Sequence, residues 1–384
     1  MPLPLSMVPD VLVIGAGHFG SAAALHLARS GLSVVVVDAR LSAAGDSASG
    51  LGAITLQSRG YDPSLPLALT AVAYYAEFLS ELDFDVEYRE CGGLALIDSE
   101  ADLEPRLAAV NLQRERYGIR LEFLDAAATR EAEPSIGPEV FGSTFCAQEA
   151  HLNPLLLQRG LERACARAGV TTLAGERVVS ITRTPAPLPD SAGASPETIT
   201  FEITTHSGTR ISTPVIVNCA GPGLAEVARL AGIDLDIRQG HTHMLATNAA
   251  PPTIRHLLSG CLQTVSGNIL INSRLLFDPR DAEPGWRSIR SMLRKTLHRM
   301  PGLAGLELIR AWSGRRPYPA DGQPVIGEVP GVRGFYIATA HAGTTLSPLS
   351  GKILAELITS GNTPVSIAPF SPQRLMATPK ETAM

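Results

Sequence analysis

Aromatic and charged residues are scarce in this chain, at 5% and 18%, and long apolar runs are absent. Each absence excludes something. No apolar run reaches the roughly 20 residues that a membrane span needs. The opening MPLPLSMVPD lacks the basic and apolar regions of a signal peptide, so none is expected. A net charge of −5 gives no reason to expect nucleic acid or an anionic membrane as partner. The cysteines, Cys91, Cys146, Cys165, Cys219 and Cys261, form no C-x-x-C pair, and their odd number argues against a disulfide framework. A cytoplasmic location is the simplest reading. What is plentiful is glycine, 35 residues, in a chain of 384 that is long enough for two domains.

The glycines are concentrated where they carry meaning. In VLVIGAGHFGSAAALHLARSGLSVVVVD, Val11–Ile14 reads as a short apolar strand and Val34–Val37 as a second. Between them Gly15, Gly17 and Gly20, spaced by Ala16, His18 and Phe19, fit G-x-G-x-x-G and open a helix ending near Gly31. Asp38 ends the second strand, followed by Ala39 and Arg40. This is the dinucleotide-binding βαβ fingerprint in its required context. The helix N-terminus offers unpaired N–H groups to a pyrophosphate, and Asp38 would accept hydrogen bonds from ribose hydroxyls. The run alone leaves FAD and NAD open; its place at the extreme N-terminus fits FAD.

Further elements follow from local signals. Residues 39–58 are rich in small side chains that can lie against a flat ligand. Asp62 and Pro63 start a helix over about 65–82; 91–97 reads as a strand and 105–118 as an amphipathic helix. Asn153 suits an N-cap, Pro154 the first helical position and Gly169 the stop. Strands are expected near 177–183 and 200–205, with a mobile loop over 184–197 and a turn at Ser207-Gly208. The run 215–221 reads as a buried parallel strand entering a glycine turn. Residues 237–280 alternate as an antiparallel sheet, 285–300 as a basic helix, 306–313 and 334–339 as strands, and Ser347–Ser360 as a helix. His241 and His243 alternate along one strand and share a face. They suit substrate contact, or simply two polar residues on one side of a sheet; no third ligand gives metal spacing, so no metal is expected.

VIVNCAGPG, RPYPADGQPVIG and GFYIATAHAGTTLSPLSGKILAELI, taken with the fingerprint, resemble the D-amino-acid oxidase superfamily of FAD enzymes over nearly the whole chain. The stretches 54–97 and 147–170 are similar to glycine oxidase-like proteins, and closer to the C subunit of hydrogen cyanide synthase and the B subunit of opine oxidases. The resemblance implies an α/β protein of glutathione-reductase-like fold. A Rossmann FAD-binding domain (8–82, 145–235 and 306–365) would carry an inserted antiparallel-sheet, α+β substrate domain (83–144 and 236–305), with a loosely ordered tail over 366–384.

The resemblance also implies roles. Arg316 matches the arginine that binds a substrate carboxylate, for which a guanidinium fork is suited. His341, Ala342, Gly343, Thr344, Thr345 and Leu346 match the segment under the flavin ring, where a helix start would stabilise negative charge. Ser47, Ala48, Ser49 and Gly50 match a loop on FAD, Val178 the backbone at the adenine, and Ala220 and Gly221 a turn near the pyrophosphate. Gln57 and Gln263 would approach the substrate, with His241 and His243. The chain departs from the pattern after His341, where it is short and lacks glycine oxidase's second arginine. RRPYPAD and GDSASGLG contain neither Cys nor His, so FAD is expected to be non-covalent. The implied reaction oxidises the C–N bond of an amino acid or N-substituted amino acid by hydride transfer to flavin, giving an imine that hydrolyses. Electrons would pass to oxygen, a quinone or a partner subunit. The alternatives are a flavoprotein subunit that needs partners, and a non-catalytic flavin-fold binding protein.

Overall fold

The computed structural model describes residues 6–41, 45–59, 63–185 and 199–376. The elements used below are, in chain order, β1 (Val11–Ile14), α1 (His18–Arg29), β2 (Val34–Asp38), α2 (Ser64–Leu82), β3 (Gly93–Ile97), α3 (Leu103–Tyr117), β4 (Leu121–Asp125) and β5 (Gly142–Cys146). They continue with α4 (Pro154–Arg167), β6 (Thr171–Ala174), β7 (Val178–Pro185), β8 (Ile199–Thr205), β9 (Arg210–Thr213), β10 (Val215–Asn218) and α5 (Leu224–Leu230). The last are β11 (Ile237–Ala249), β12 (Leu257–Leu258), β13 (Cys261–Gln263), β14 (Asn268–Asn272), α6 (Trp286–Arg299), β15 (Leu308–Pro319), β16 (Val325–Glu328), β17 (Phe335–Thr339) and α7 (Gly343–Ser360).

A six-stranded sheet runs in the order β16-β17-β10-β1-β2-β6. Its pairs are parallel except β16–β17. Such strands are buried on both faces, and β1 and β2 are valine-rich for that reason. On one face α1, α2, α4 and α7 pack through Ala22, Ala23, Leu27, Tyr75, Phe78 and Ile353. On the other, Leu12, Val35 and Ile216 meet Phe201 and Ile203 of a small sheet (Ser6–Met7)-β9-β8-β7. Both valine-rich strands end at the same edge, where their C-terminal loops form a crevice.

An eight-stranded sheet follows the order β15-β11-β14-β13-β12-β3-β5-β4. It is antiparallel, as expected, except that β12 runs parallel to β3.

Some local expectations are corrected. The strand expected over 306–313 extends to Pro319 and belongs to the eight-stranded sheet rather than to the nucleotide unit, because β15 pairs with β11 along its length. Its prolines, 317 and 319, are tolerated on an edge strand. The last helix begins at Gly343, not Ser347, with Pro348 inside it. Residues 366–376 are not a loose tail: Phe370 and Leu375 are buried, and Arg374 pairs with Asp321 at 2.5 Å. The remainder of that stretch, Asp62 and residues 186–198 lie outside the described residues. Asn153 caps α4 as read, accepting from the N–H groups of Leu155 and Leu156.

Candidate active site

The crevice starts from three glycines, of which Gly15 and Gly20 leave no room for a side chain. Gly15 has φ +103°, and a Cβ there would lie 2.4 Å from the Cys219 carbonyl oxygen. A Cβ on Gly20 would fall 1.8 Å from the Gly15 oxygen, and one on Gly17 2.7 Å from Ser47 Oγ. Helix α1 therefore starts hard against the strand ends. Its N-cap, Gly17, supplies no side-chain cap, and the His18 N–H donates to Ser47 Oγ at 3.2 Å. Asp38 holds the turn from the other side: Oδ2 accepts from the Ala16 N–H and Oδ1 from the Arg40 N–H, both at 2.7 Å. Each oxygen keeps a further lone pair for a hydroxyl.

A cavity of about 400 Å3 brings together Gly15, Gly17, Asp38, Ala39, Arg40, Ser47, Val178, Ala220 and Gly221, from separate stretches of chain. Ala16 and Ala48 line a cavity beside it. These residues fit a dinucleotide: a glycine cradle, a helix start and an acid at the strand end. Phe19 and Gly20 lie behind the cradle, buried. Phe19 supports Gly343, where a Cβ would lie 3.4 Å from its ring.

His18 is also buried, its Nε2 3.0 Å from the Pro154 oxygen, and burial pushes its pKa from 6.5 down to about 4. Between those values the unfolded chain binds the proton and the folded one does not, so stability rises with pH across that window. We expect His18 to cost about 3 kcal/mol on going from pH 7 to pH 4. Urea unfolding at the two pH values measures the loss, and H18Q should reduce it; an equal loss in H18Q would refute the assignment.

Asp46 is the organiser that sequence reading missed, hidden in a run of small residues. It accepts from the Arg315 backbone N–H at 3.0 Å, pairs with Arg315 Nη2 at 2.9 Å and with Arg40 Nη1 at 3.3 Å. Burial raises its pKa against the pull of Arg40 and Arg316. Ser49, one turn on, accepts from Trp312 Nε1 through its carbonyl at 3.0 Å. Gly50 has the Arg316 guanidinium against it, 3.1 Å from where a Cβ would be. Adjacent arginines thus have different fates. Arg315 is neutralised by Asp46, whereas the Arg316 side chain makes no hydrogen bond or ion pair among the described residues. Burial pushes the Arg316 pKa down, but a guanidinium stays charged and a desolvated charge calls for an anion.

Arg316 faces a second cavity, of about 610 Å3, shared with His341, Ala342, Gly343, Thr344, Gln57, Glu149, Thr242 and Arg274. Helix α7 opens on it with Ala342 as N-cap and no side-chain cap, so the first-turn N–H groups have no partner within the helix. Thr345 and Leu346 are buried behind, Thr345 Oγ1 accepting from the Thr55 N–H at 3.3 Å. The His341 ring lies 5.7 Å from that of Tyr318. Pro348 has no N–H for the Thr344 carbonyl, and the buried Tyr75 hydroxyl donates to that carbonyl instead. Y75F should therefore lose about 1–3 kcal/mol of stability by leaving the carbonyl unpaired. Denaturant unfolding checks this, and an unchanged midpoint would refute it.

The expected substrate contacts divide. Gln57 lines the cavity, but its amide is fully engaged: Oε1 accepts from Arg106 (2.6 Å) and Thr144 (2.7 Å), and Nε2 donates to Glu149 (3.0 Å) and the Gly93 carbonyl (3.1 Å). Glu149 and Arg106 went unread in the sequence, because no motif marks them. Glu149 also accepts the Leu56 and Gln57 N–H groups, and burial raises its pKa. Gln263 lies outside the cavity; it ties a turn together, donating to the carbonyls of Ala250, Pro251 and Gly267. His243 is wholly buried, with Nδ1 2.6 Å from Ser288 Oγ and Nε2 2.7 Å from the Asp281 carbonyl. His241 shares its face, and alternation gives the other face to Gly240 and Thr242, so the cavity receives Thr242 rather than either histidine.

Among the described residues, no helix is long and apolar enough to cross a membrane. The B subunit of opine oxidase from Rhizobium meliloti is 25% identical over 377 residues, covering 96% of this chain and 98% of its own. Glycine oxidase of Geobacillus kaustophilus is 26% identical over 379 residues, covering 94% and 96%. The crystal structure of glycine oxidase from Geobacillus kaustophilus superposes with a TM-score of 0.87 at 24% identity, over 97% of this chain and 100% of the other. Residues 10–357 match the profile of the DAO family, FAD dependent oxidoreductase. The chain, with its glycine cradle and its strand-end acid, belongs to the DAO family of FAD-dependent oxidoreductases.

Proposed function

We propose that this enzyme oxidises the C–N bond of an amino acid or N-substituted amino acid whose carboxylate sits on Arg316. The observation that carries the reading is the contrast between Arg315, hydrogen-bonded to Asp46, and the desolvated Arg316, which makes no hydrogen bond or ion pair among the described residues, on a cavity that α7 opens onto. The relatives named as glycine oxidase and as an opine oxidase support an amino-acid substrate of this kind.

The residues of the first cavity would hold FAD without a covalent bond. Bound there, it supplies the acceptor for a hydride from the carbon bearing the amine, and water hydrolyses the resulting imine. The chain's own part is placement. Arg316 fixes the carboxylate, the first-turn N–H groups of α7 stabilise negative charge, and Gly50 leaves room for the guanidinium. No strong base is required, because a neutral amine correctly placed is enough. We read the six-stranded sheet as the FAD unit and the eight-stranded sheet as the substrate unit. The opine oxidase relative is named as one subunit of its enzyme, which favours a second reading, in which partner chains complete electron transfer to an acceptor.

The test is a visible spectrum of the purified holoprotein, followed anaerobically as amino acids and N-alkyl amino acids are added. Bleaching of the flavin bands by one class is expected. Bands that persist with every candidate, in the presence of any co-purified partner, would overturn the reading.

A further inference from the structure

The reaction cavity carries a second arginine, Arg274, at the place where it continues into an outer cavity of about 690 Å3. Residues 273–276 run alongside β11, with His241 and Leu276 exchanging backbone hydrogen bonds at 2.7 and 2.9 Å. Arg316 pairs with Gly240 on the opposite side of the same strand. The two arginines thus flank β11, their backbones about 10 Å apart, or two strand spacings. Leu275 fills the space over Gly240, where a Cβ would lie 2.8 Å from it.

Of the described cations lining the outer cavity, Arg274 alone also lines the reaction cavity. Lys295 and Arg299 also line the outer cavity but share one acid, Asp98, at 3.6 and 2.6 Å, and neither lines the reaction cavity. The side chains of Arg274 and Arg287 make no hydrogen bond or ion pair among the described residues, and Asp281 is the single acid on the wall. Two arginines on the wall of one cavity, on either side of one strand, offer guanidinium forks for two carboxylates. We propose that the substrate is an amino acid with a second carboxylate, one on Arg316 and the other on Arg274. This rests on the function proposed above. The second carboxylate can be carried on the amine nitrogen or on the side chain.

Binding can be read without turnover, using oxydiacetate and methoxyacetate, which have no amine to oxidise. Each is titrated into the holoprotein at low salt while the flavin spectrum is followed. Oxydiacetate should bind about tenfold more tightly than methoxyacetate, and R274A, a change at an exposed position, should remove that advantage. Equal affinities in the unaltered protein, or an advantage that survives in R274A, would overturn the proposal. In either of those cases, methoxyacetate binding that R316A abolishes would leave the wider reading standing. If neither compound binds, both fall. Flavin bleaching by iminodiacetate would place the second carboxylate on nitrogen, and bleaching by aspartate or glutamate would place it on the side chain. Equal bleaching by glycine and N-methylglycine would count against both.

Discussion

Replacing Arg316 with alanine should raise KM for the amino-acid substrate about 100-fold while leaving FAD content unchanged. The magnitude follows from losing a two-pronged, charge-assisted contact worth about 3 kcal/mol. The FAD cradle is assembled by α1, β2 and residues 46–50, so it should survive the truncation. R316K should recover only part of the loss, since an ammonium offers one point of charge where the fork offers two parallel donors. R315A is the counterpart: Arg315 is engaged by Asp46, and its loss should act first on the loop holding Ser47. Steady-state kinetics with flavin content measured alongside separates these cases. An unchanged KM in R316A would remove the carboxylate assignment.

G20A should yield protein without bound FAD, destabilised by about 3 kcal/mol or more. The added methyl would meet a backbone oxygen at 1.8 Å, and neither helix nor strand can yield without opening the turn. G302A is the matched control, since a Cβ there meets nothing within 4 Å. Absorbance at the flavin bands and the unfolding midpoint report the two effects. Full FAD occupancy in G20A with an unchanged midpoint would show that the close approach is not required.

The nucleotide-binding half was legible because its signals are local. Glycine spacing, two valine runs and an acid lie within 28 consecutive residues, and each restricts the backbone where it stands. Asn153 and Pro154 were readable for the same reason, since a cap and a fixed φ act on adjacent N–H groups. Local reasoning misplaced the start of α7. Pro348 reads as a first-turn residue, but Tyr75, far away in sequence, satisfies the carbonyl that the proline leaves unpaired, and so the helix extends back to Gly343.

Side-chain assignments in the substrate half fared unevenly, and strand geometry explains why. A strand shows which residues share a face but not which face meets the cavity. His241 and His243 were paired correctly and turned away, while Thr242 between them faces in. Gln263 looked available in the sequence and is consumed by three carbonyls that a turn brings to it. Asp46, Glu149 and Arg106 carry no motif, and their roles exist only once distant segments meet.

The sequence by itself determined that the first βαβ turn is a glycine cradle at an uncapped helix start, because steric limits on glycine and the open N–H groups of a helix start are properties of a few adjacent residues. Only the tertiary structure decided which arginine of the pair 315–316 hydrogen-bonds Asp46, because that depends on where Asp46 lies, 269 residues away along the chain from Arg315.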